Sequence, residues 1–183
     1  ILKNEVKGFT TRTTGSFNIS MNTQIYGLLP TKIGKTEAIR HVISPSIGYS
    51  YRPDFSKDVF GFDPGYYQTI QQDNGEIAYF DRFSGTLAGG TPRGESQTLN
   101  LSVNNVFQAK VVDDDIEKKI DLFSWRFNTG KNFVLEQFQW SNINSSVRAN
   151  VSKKLNLDFS MTHDWYDFDK DKNIRINKFK SVN

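Results

Sequence analysis

The chain contains no cysteine, which excludes disulfides and thiolate metal sites within it but does not fix its compartment. It also lacks any apolar run of about 18 residues, so the sequence predicts no transmembrane helix. The net charge is only +3 and the basic residues are scattered, so we expect no nucleic-acid partner. The mean hydropathy is −0.55. A low value does not exclude a membrane protein, because in a transmembrane β-barrel only alternate wall residues are apolar.

Signals for helices and for processing are also missing. No segment repeats apolar residues at helical spacing, and few capping residues precede the apolar stretches. The first residue is Ile1, no signal peptide is visible, and the end at Lys180–Asn183 has no aromatic terminus. The 183 residues are enough for one domain. We expect the chain to be part of a longer protein.

Residues 37–52 form the most informative segment. Odd-numbered positions are mainly apolar, with tyrosines at one end, whereas even-numbered positions are mainly small and polar, with an arginine near each end. Successive side chains of a strand point to opposite faces, so this pattern predicts a long strand with two different faces. Strands of soluble proteins usually have about 5–6 residues, whereas a tilted membrane-crossing strand needs roughly 9–11. The segment is typical of an outer-membrane barrel wall.

The same alternation recurs along the chain. The further predicted strands are 16–27, 97–112, 119–128, 142–152 and 155–166, with weaker candidates at 4–13 and at Ile174–Phe179. In 119–128, Phe123, Trp125 and Phe127 share one face, but Ile120 and Leu122 fall on the other, so a bulge could reset the phase there. The polar faces are rich in Asn and Ser, which suits a hydrated lumen better than a packed core.

These strands predict an all-β fold: a segment of an antiparallel transmembrane β-barrel with long extracellular loops. About six strands cannot close around an aqueous channel, so we interpret residues 1–183 as part of one larger outer-membrane barrel domain. Short turns at 113–115 and 153–154 are assigned to the periplasmic side. Loops at 53–96, 129–141 and 167–173 are then extracellular. Residues 28–36 fall on the periplasmic side, where they are longer than this scheme expects.

Alternation also predicts which way individual side chains point. The candidate lumen-facing cations are Arg40, Arg52, Lys110 and Arg148, and the candidate lipid-facing residues are Ile43, Ile47, Leu101, Phe159 and Trp165. Pro45 lies in mid-strand and cannot donate to a ladder. It is a candidate weak point of its strand, and the alternatives are an opening in the wall or a local bulge.

We find no pattern that predicts catalysis. There is no Ser-His-Asp arrangement, and residues 89–94 lack the lysine of a phosphate-binding loop. His41 and His163 are far apart and have no further ligands at metal-binding spacing. The acidic residues at 167, 169 and 171 fail the EF-hand pattern, since Lys172 and Lys178 stand where it needs Gly and Glu. We expect no enzyme activity, no metal and no cofactor.

Several short motifs of the sequence occur in an order that is typical of a known protein family. They are IRHVISPS at 39–46, YSYRPDF at 49–55, YFDRFSG at 79–85, GESQ at 94–97, WS at 140–141 and RIN at 175–177. Together, over residues 8–179, they resemble the LptD family of outer-membrane lipopolysaccharide-assembly proteins, in the form found in Bacteroidetes. The resemblance implies a large barrel preceded by a periplasmic domain, with a lumenal plug lipoprotein (LptE-like) and lipopolysaccharide that leaves through the wall.

The resemblance also implies partners and leaves alternatives. The partners would be lipopolysaccharide, the plug lipoprotein, the periplasmic lipopolysaccharide-bridge proteins and outer-membrane lipid, in a Gram-negative outer membrane. The lumen-facing cations would contact lipopolysaccharide phosphates or the plug, or simply line a solvated wall. The alternatives are another large barrel, such as a TonB-dependent nutrient transporter, and a soluble β-sandwich carbohydrate-binding module, which would have shorter strands and a dry core.

Overall fold

The structure is a computed structural model that describes residues 11–113, 116–152, 155–169, 171–172 and 174–180. In this part of the chain the backbone forms strands and no helix, and the recorded strand registers are antiparallel. The predicted all-β, antiparallel fold is therefore confirmed. The strands are β1 (Phe17–Asn22), β2 (Ile25–Ile33), β3 (Thr36–Arg52), β4 (Tyr67–Gln71), β5 (Ile77–Asp81), β6 (Ser96–Asp113), β7 (Ile116–Asn132), β8 (Ile143–Ser152), β9 (Leu155–His163), β10 (Tyr166–Asp169) and β11 (Ile174–Phe179).

The described residues include no helix of the length and apolarity that a membrane span requires.

Three of the strands are unusually long. β3 and β7 have 17 residues each and β6 has 18, where about 5–6 is typical. The strands predicted at 37–52 and 97–112 agree with β3 and β6 to within one residue at each end. Continuous alternation of apolar and polar residues accounts for this length, since each added residue keeps the same two faces of the strand.

The described residues divide into two compact units. The larger unit comprises 18–50 and the described residues of 97–183, and the smaller comprises 11–17 and 51–96. The main sheet has seven strands: β1 and β2 both pair with β3, and the order continues β6, β7, β8, β9. β10 and β11 form a separate two-stranded sheet, as do β4 and β5.

The connection between β2 and β3 corrects a prediction. Residues 28–36 were expected to form a long periplasmic connection, but β2 runs to Ile33 and pairs with Thr36 of β3. Only Gly34 and Lys35 remain as the turn, and Gly34 adopts a positive φ of 59°, which glycine tolerates without steric cost. The connection is therefore a tight hairpin, which agrees with the short turns expected on the periplasmic side.

The predicted bulge in β7 is present. Phe107 of β6 pairs with Phe123, and the next residue, Gln108, pairs with Asp121. Leu122 is the extra residue, so the alternation of β7 changes phase there. Ile120 consequently pairs with Ala109, on the same face of β6 as Phe107.

Other predicted boundaries differ from the structure. β9 ends at His163 rather than Tyr166, because Asp164 turns the chain by accepting a hydrogen bond from Tyr166 N at 2.9 Å. The weak strand predicted at Ile174–Phe179 is β11. The weak strand predicted at 4–13 lies outside the described residues for 4–10, and residues 11–13 form no strand. Of the predicted turns at 113–115 and 153–154, residues 114–115 and 153–154 also lie outside the described residues.

The smaller unit is organised around one carboxylate. Asp81, the last residue of β5, accepts hydrogen bonds from Phe83 N at 3.0 Å and from both Thr91 N and the Thr91 hydroxyl. Phe83 is buried, Tyr66 packs edge-on against it at 5.6 Å, and the Arg12 guanidinium lies 5.1 Å above its ring. The long segment 53–96 thus has its own hairpin and a small core; its extracellular position stays a prediction.

Buried apolar side chains are few in the part of the chain that is described. They are Ala38, Phe55, Phe83, Ala109 and Tyr166. A soluble sheet normally buries one apolar face against a second layer. Here many large apolar side chains of the main sheet stay exposed instead, including Phe17, Ile19, Met21, Ile25, Leu155, Leu157 and Phe159.

Candidate functional site

The main sheet has one polar face whose composition follows from strand register. Asn104 of β6 pairs with Arg126 of β7, Arg126 with Ser146 of β8, and Ser146 with Ser160 of β9. Paired residues of neighbouring strands point to the same side, so these four side chains form a row across four strands. The adjacent row, which runs from Ser124 through Arg148 to Asp158, lies on the same face.

These two rows line a hollow of about 400 Å³. Its walls carry hydroxyl and amide groups from four strands together with the guanidinium groups of Arg126 and Arg148. Such groups donate hydrogen bonds in several directions. The hollow can therefore bind hydroxylated or anionic groups.

The two arginines of this polar hollow differ in their partners. Arg148 Nε lies 2.6 Å from Asp158 Oδ1, and both side chains are largely exposed, at 70% and 59%. Among the described residues, Arg126 has no acidic partner, so its positive charge is not neutralised within the sheet. Of the two arginines that line the polar hollow, Arg126 is thus the one whose charge is available to an anionic ligand.

Arg126 is not among the residues predicted from the sequence to face the lumen. The segment 119–128 breaks alternation at Leu122, so only its aromatic residues were assigned to a common face. The aromatic residues were enough to predict its position, because Trp125 and Phe127 on one face of the strand put Arg126 on the other.

The four predicted lumen-facing cations do not gather at one place. Arg148 lines the polar hollow, whereas Lys110 lies between Glu37 at 3.4 Å and Glu117 at 2.6 Å. The Arg40 guanidinium lies 4.7 Å above the Tyr26 ring. Arg52, which belongs to the smaller unit, donates to Gly94 O at 3.3 Å. Their exposure to a barrel lumen stays a prediction.

Four of the five predicted lipid-facing residues lie on the face opposite the polar rows, and Trp165 is the exception. Phe159 pairs with Val147, is 59% exposed, and follows the alternation that puts Ser160 on the polar face. Trp165 lies past the end of β9 instead. It packs against Trp140 at 5.8 Å and donates from Nε1 to Thr129 Oγ1 at 3.3 Å.

Ile43, Ile47 and Leu101 lie in the long strands β3 and β6. Ile47 and Leu101 both line an apolar hollow of about 280 Å³, together with Met21, Pro45 and Val103. Contact with lipid is, for all of these residues, still a prediction.

Pro45 stands opposite the break between β1 and β2. The β2–β3 register, continued from the Ile25–Ile43 pair, puts Thr23 opposite Pro45, and Pro45 O accepts from Thr23 N at 3.3 Å. In an antiparallel ladder the N–H and C=O of one residue point to the same neighbouring strand. The donor that proline lacks is therefore missing on the side of β1 and β2, and the ladder toward β6 does not need it.

The apolar face also carries a polar contact. His41 Nε2 lies 3.0 Å from Asn105 Oδ1, and the His41 ring stacks on Phe107 at 4.1 Å. Asn105 Nδ2 in turn donates to Trp125 O at 3.2 Å. These groups satisfy one another, and among the described residues no cluster of three or more His, Cys, Asp or Glu side chains could hold a metal ion.

A polar face, an uncovered apolar face and strands of membrane-crossing length agree with the family that the sequence words suggest. The profile of a family described as "LptD protein" matches residues 1–166. The chain belongs to the LptD family. Membership links it to lipopolysaccharide transport at the outer membrane. No curated protein and no solved structure matches the chain.

Proposed function

We propose that this LptD-family chain forms part of the wall of a closed outer-membrane β-barrel that inserts lipopolysaccharide into the outer leaflet. The observation that carries the proposal is the main sheet itself: β3, β6 and β7 have 17 or 18 residues, one face is polar, and the other exposes large apolar side chains. Exposed apolar area on this scale marks a contact surface, and a bilayer provides one. An open sheet edge cannot remain unpaired in lipid, so further strands must close the barrel.

The proposed mechanism is passage rather than catalysis. The sugar and phosphate groups of lipopolysaccharide move along the polar face, where Arg126 and the hydroxyls of Ser124, Ser146 and Ser160 line the polar hollow. The acyl chains leave through an opening in the wall. A plug lipoprotein of the LptE type and the periplasmic lipopolysaccharide-bridge proteins are the partners that this role requires.

Copurification tests the proposal directly. The full-length protein is extracted from outer membranes in mild detergent, and everything that copurifies is identified by mass spectrometry. A small lumenal lipoprotein together with lipopolysaccharide is the expected result. A nutrient-capture surface lipoprotein without lipopolysaccharide enrichment would point to a TonB-dependent transporter instead, and recovery in the soluble fraction would exclude both membrane roles.

The polar hollow gives the proposal a residue-level test. Arg126→Ala should lower the amount of lipopolysaccharide that reaches the cell surface while leaving the folded protein at normal abundance. Lys118→Ala, in the same strand, is the control for loss of a positive charge from β7. Equal export in both variants would show that the polar hollow does not guide the substrate.

A further inference from the structure

A second hollow, of about 330 Å³, lies where the loop after β7 meets the β10–β11 hairpin. Its size is at the lower end of the roughly 300–1,000 Å³ typical of small-molecule sites. Its lining combines aromatic rings with charged and amide side chains. Neither the family assignment nor the proposed passage along the polar face gives this place a role.

The aromatic part of this loop hollow is held firmly. Tyr166 is buried, stacks on Phe179 at 5.5 Å, and accepts a hydrogen bond at its hydroxyl oxygen from Trp140 N, 2.9 Å away. The Arg175 guanidinium lies 4.7 Å above the Tyr166 ring. Phe179 itself is 55% exposed. It therefore presents a ring to the hollow that is already supported from behind.

The polar part offers both acceptor and donor atoms that make no hydrogen bond within the described residues. Glu136 has no partner for its carboxylate within the described residues. Gln139 donates from Nε2 to Leu135 O at 2.8 Å, which leaves its Oε1 as an acceptor. Asn177 Oδ1 accepts from Phe138 N at 3.1 Å, which leaves its Nδ2 as a donor. The Lys131 ammonium, 5.7 Å from the centre of the Trp140 ring, adds a cationic donor.

This combination selects among ligand classes. A phosphate needs donors alone, and the Glu136 carboxylate would repel it. An acyl chain would offer no hydrogen bond to the polar atoms of the hollow that still lack one, which is costly. A sugar ring has hydroxyls that both donate and accept around its edge and an apolar C–H surface that packs against an aromatic face. Rings beside mixed donors and acceptors match that chemistry.

We propose that the loop hollow lined by Lys131, Glu136, Gln139, Trp140, Asn177 and Phe179 is a saccharide-binding site. Phe179 supplies the ring on which a pyranose packs. Glu136, Gln139 and Asn177 bind its hydroxyls. The choice of the lipopolysaccharide saccharide as ligand rests on the proposed function, whereas binding of a soluble sugar is measured separately from export.

Equilibrium binding to the full-length protein in detergent tests the site. One probe is the oligosaccharide of lipopolysaccharide freed of its acyl chains by mild acid, and the other is maltoheptaose. We expect saturable binding of the first probe, weakened about five- to tenfold by Phe179→Ala and by Glu136→Ala. Binding of maltoheptaose with the same sensitivity would also support the site and would extend its ligands to unrelated glycans.

Matched variants separate a site from a general loss of structure. Phe168→Ala removes an exposed ring from the same hairpin, and Glu95→Ala removes an exposed carboxylate elsewhere; neither lines the loop hollow. Both should bind like the wild type. No saturable binding of either saccharide, or an equal loss in Phe168→Ala and Phe179→Ala, would overturn the proposal.

Discussion

At the scale of single residues, position along a strand decides what a side chain meets. Phe159 and Ser160 are neighbours in β9, yet the register pairs Phe159 with Val147 on one face and Ser160 with Ser146 on the other. The two residues thus experience different surroundings although their backbone environments are alike. A pair of this kind lets one substitution be compared on both faces at nearly the same depth.

Phe159→Arg should impair barrel assembly, whereas Ser160→Arg should have little effect. A charge facing lipid near the middle of the bilayer costs about 2–4 kcal/mol, while a charge on the polar face remains hydrated. The folded fraction in outer membranes, measured by heat-dependent gel mobility, checks this difference. The same comparison applies to Ile43 against Ser44 and to Leu101 against Asn100, and equal tolerance on both faces would contradict the assignment of the two faces.

Asp81 should make the smaller unit sensitive to acid. Burial raises the pKa of its carboxyl, but hydrogen bonds from Phe83 N–H and from the N–H and hydroxyl of Thr91 outweigh burial, and the pKa lies below its usual 3.8. Folding therefore favours the ionised form of Asp81. Its contribution to the stability of the smaller unit is complete at pH values above the ordinary pKa. It is lost as the pH falls through the lower pKa of the folded state.

Hydrogen exchange at the Thr91 amide measures this effect. Asp81→Asn should lower the protection of this amide, relative to its intrinsic exchange rate, at neutral pH and remove most of the loss of protection in acid, because the acceptor charge is gone. Asp58→Asn, which changes an exposed aspartate of the same unit, is the control. Exchange in Asp81→Asn that matched the wild type would show that the carboxylate does not hold this loop.

At the scale of strands, two irregularities set the geometry of the main sheet. The Leu122 bulge keeps Ile120 and Phe123 on the same face although they are three residues apart. Pro45 interrupts the ladder only on the side where β1 gives way to β2. Both features are accommodated within β3 and β7 without a change in strand order, because each affects a single pair of backbone groups.

Deletion of Leu122 should therefore be tolerated. The flanking pairs, Phe107 with Phe123 and Gln108 with Asp121, then form a regular ladder with every side chain on its original face. Deletion of Ser146 from β8, which is regular at that point, should abolish assembly instead, because a shift of one residue moves all later side chains to the opposite face. Comparable folded fractions for the two deletions would contradict the bulge.

At the scale of the whole molecule, the turns and loops are distributed unequally. The hairpin between β2 and β3 has two residues, Gly34 and Lys35, whereas β3 and β6 are separated by the segment 53–95, which contains β4 and β5. Outer-membrane barrels have short periplasmic turns and longer extracellular loops. The smaller unit is then expected outside the cell and the β2–β3 hairpin in the periplasm.

Cysteine labelling checks this topology. Because the chain contains no cysteine, only the introduced residue of the chain can react. Ser84→Cys, in the smaller unit, should react with a membrane-impermeant maleimide on intact cells. Lys32→Cys, beside the β2–β3 turn, should react only after the outer membrane is permeabilised. Any cysteine elsewhere in the full protein is replaced by serine beforehand. Labelling of Lys32→Cys on intact cells would reverse the proposed orientation.

The sequence by itself determined two of the three long strands, β3 and β6, the faces of most of their side chains, and the family. Alternation has a fixed period of two, so it can be counted from residues such as those of β3 without any partner strand. Even the phase change near Leu122 was visible, because Ile120 and Leu122 fall on the face opposite to Phe123, Trp125 and Phe127.

Only the tertiary structure decided which polar residues meet. Arg126 joins Arg148 and Ser160 in one hollow because the registers of four strands align them, and register depends on pairing between distant segments. The structure also places Trp165 past the end of β9, since Asp164 turns the chain and aromatic packing holds the ring. The loop hollow at Phe179 likewise brings together residues from β7, the following loop and β11, which no local pattern could associate.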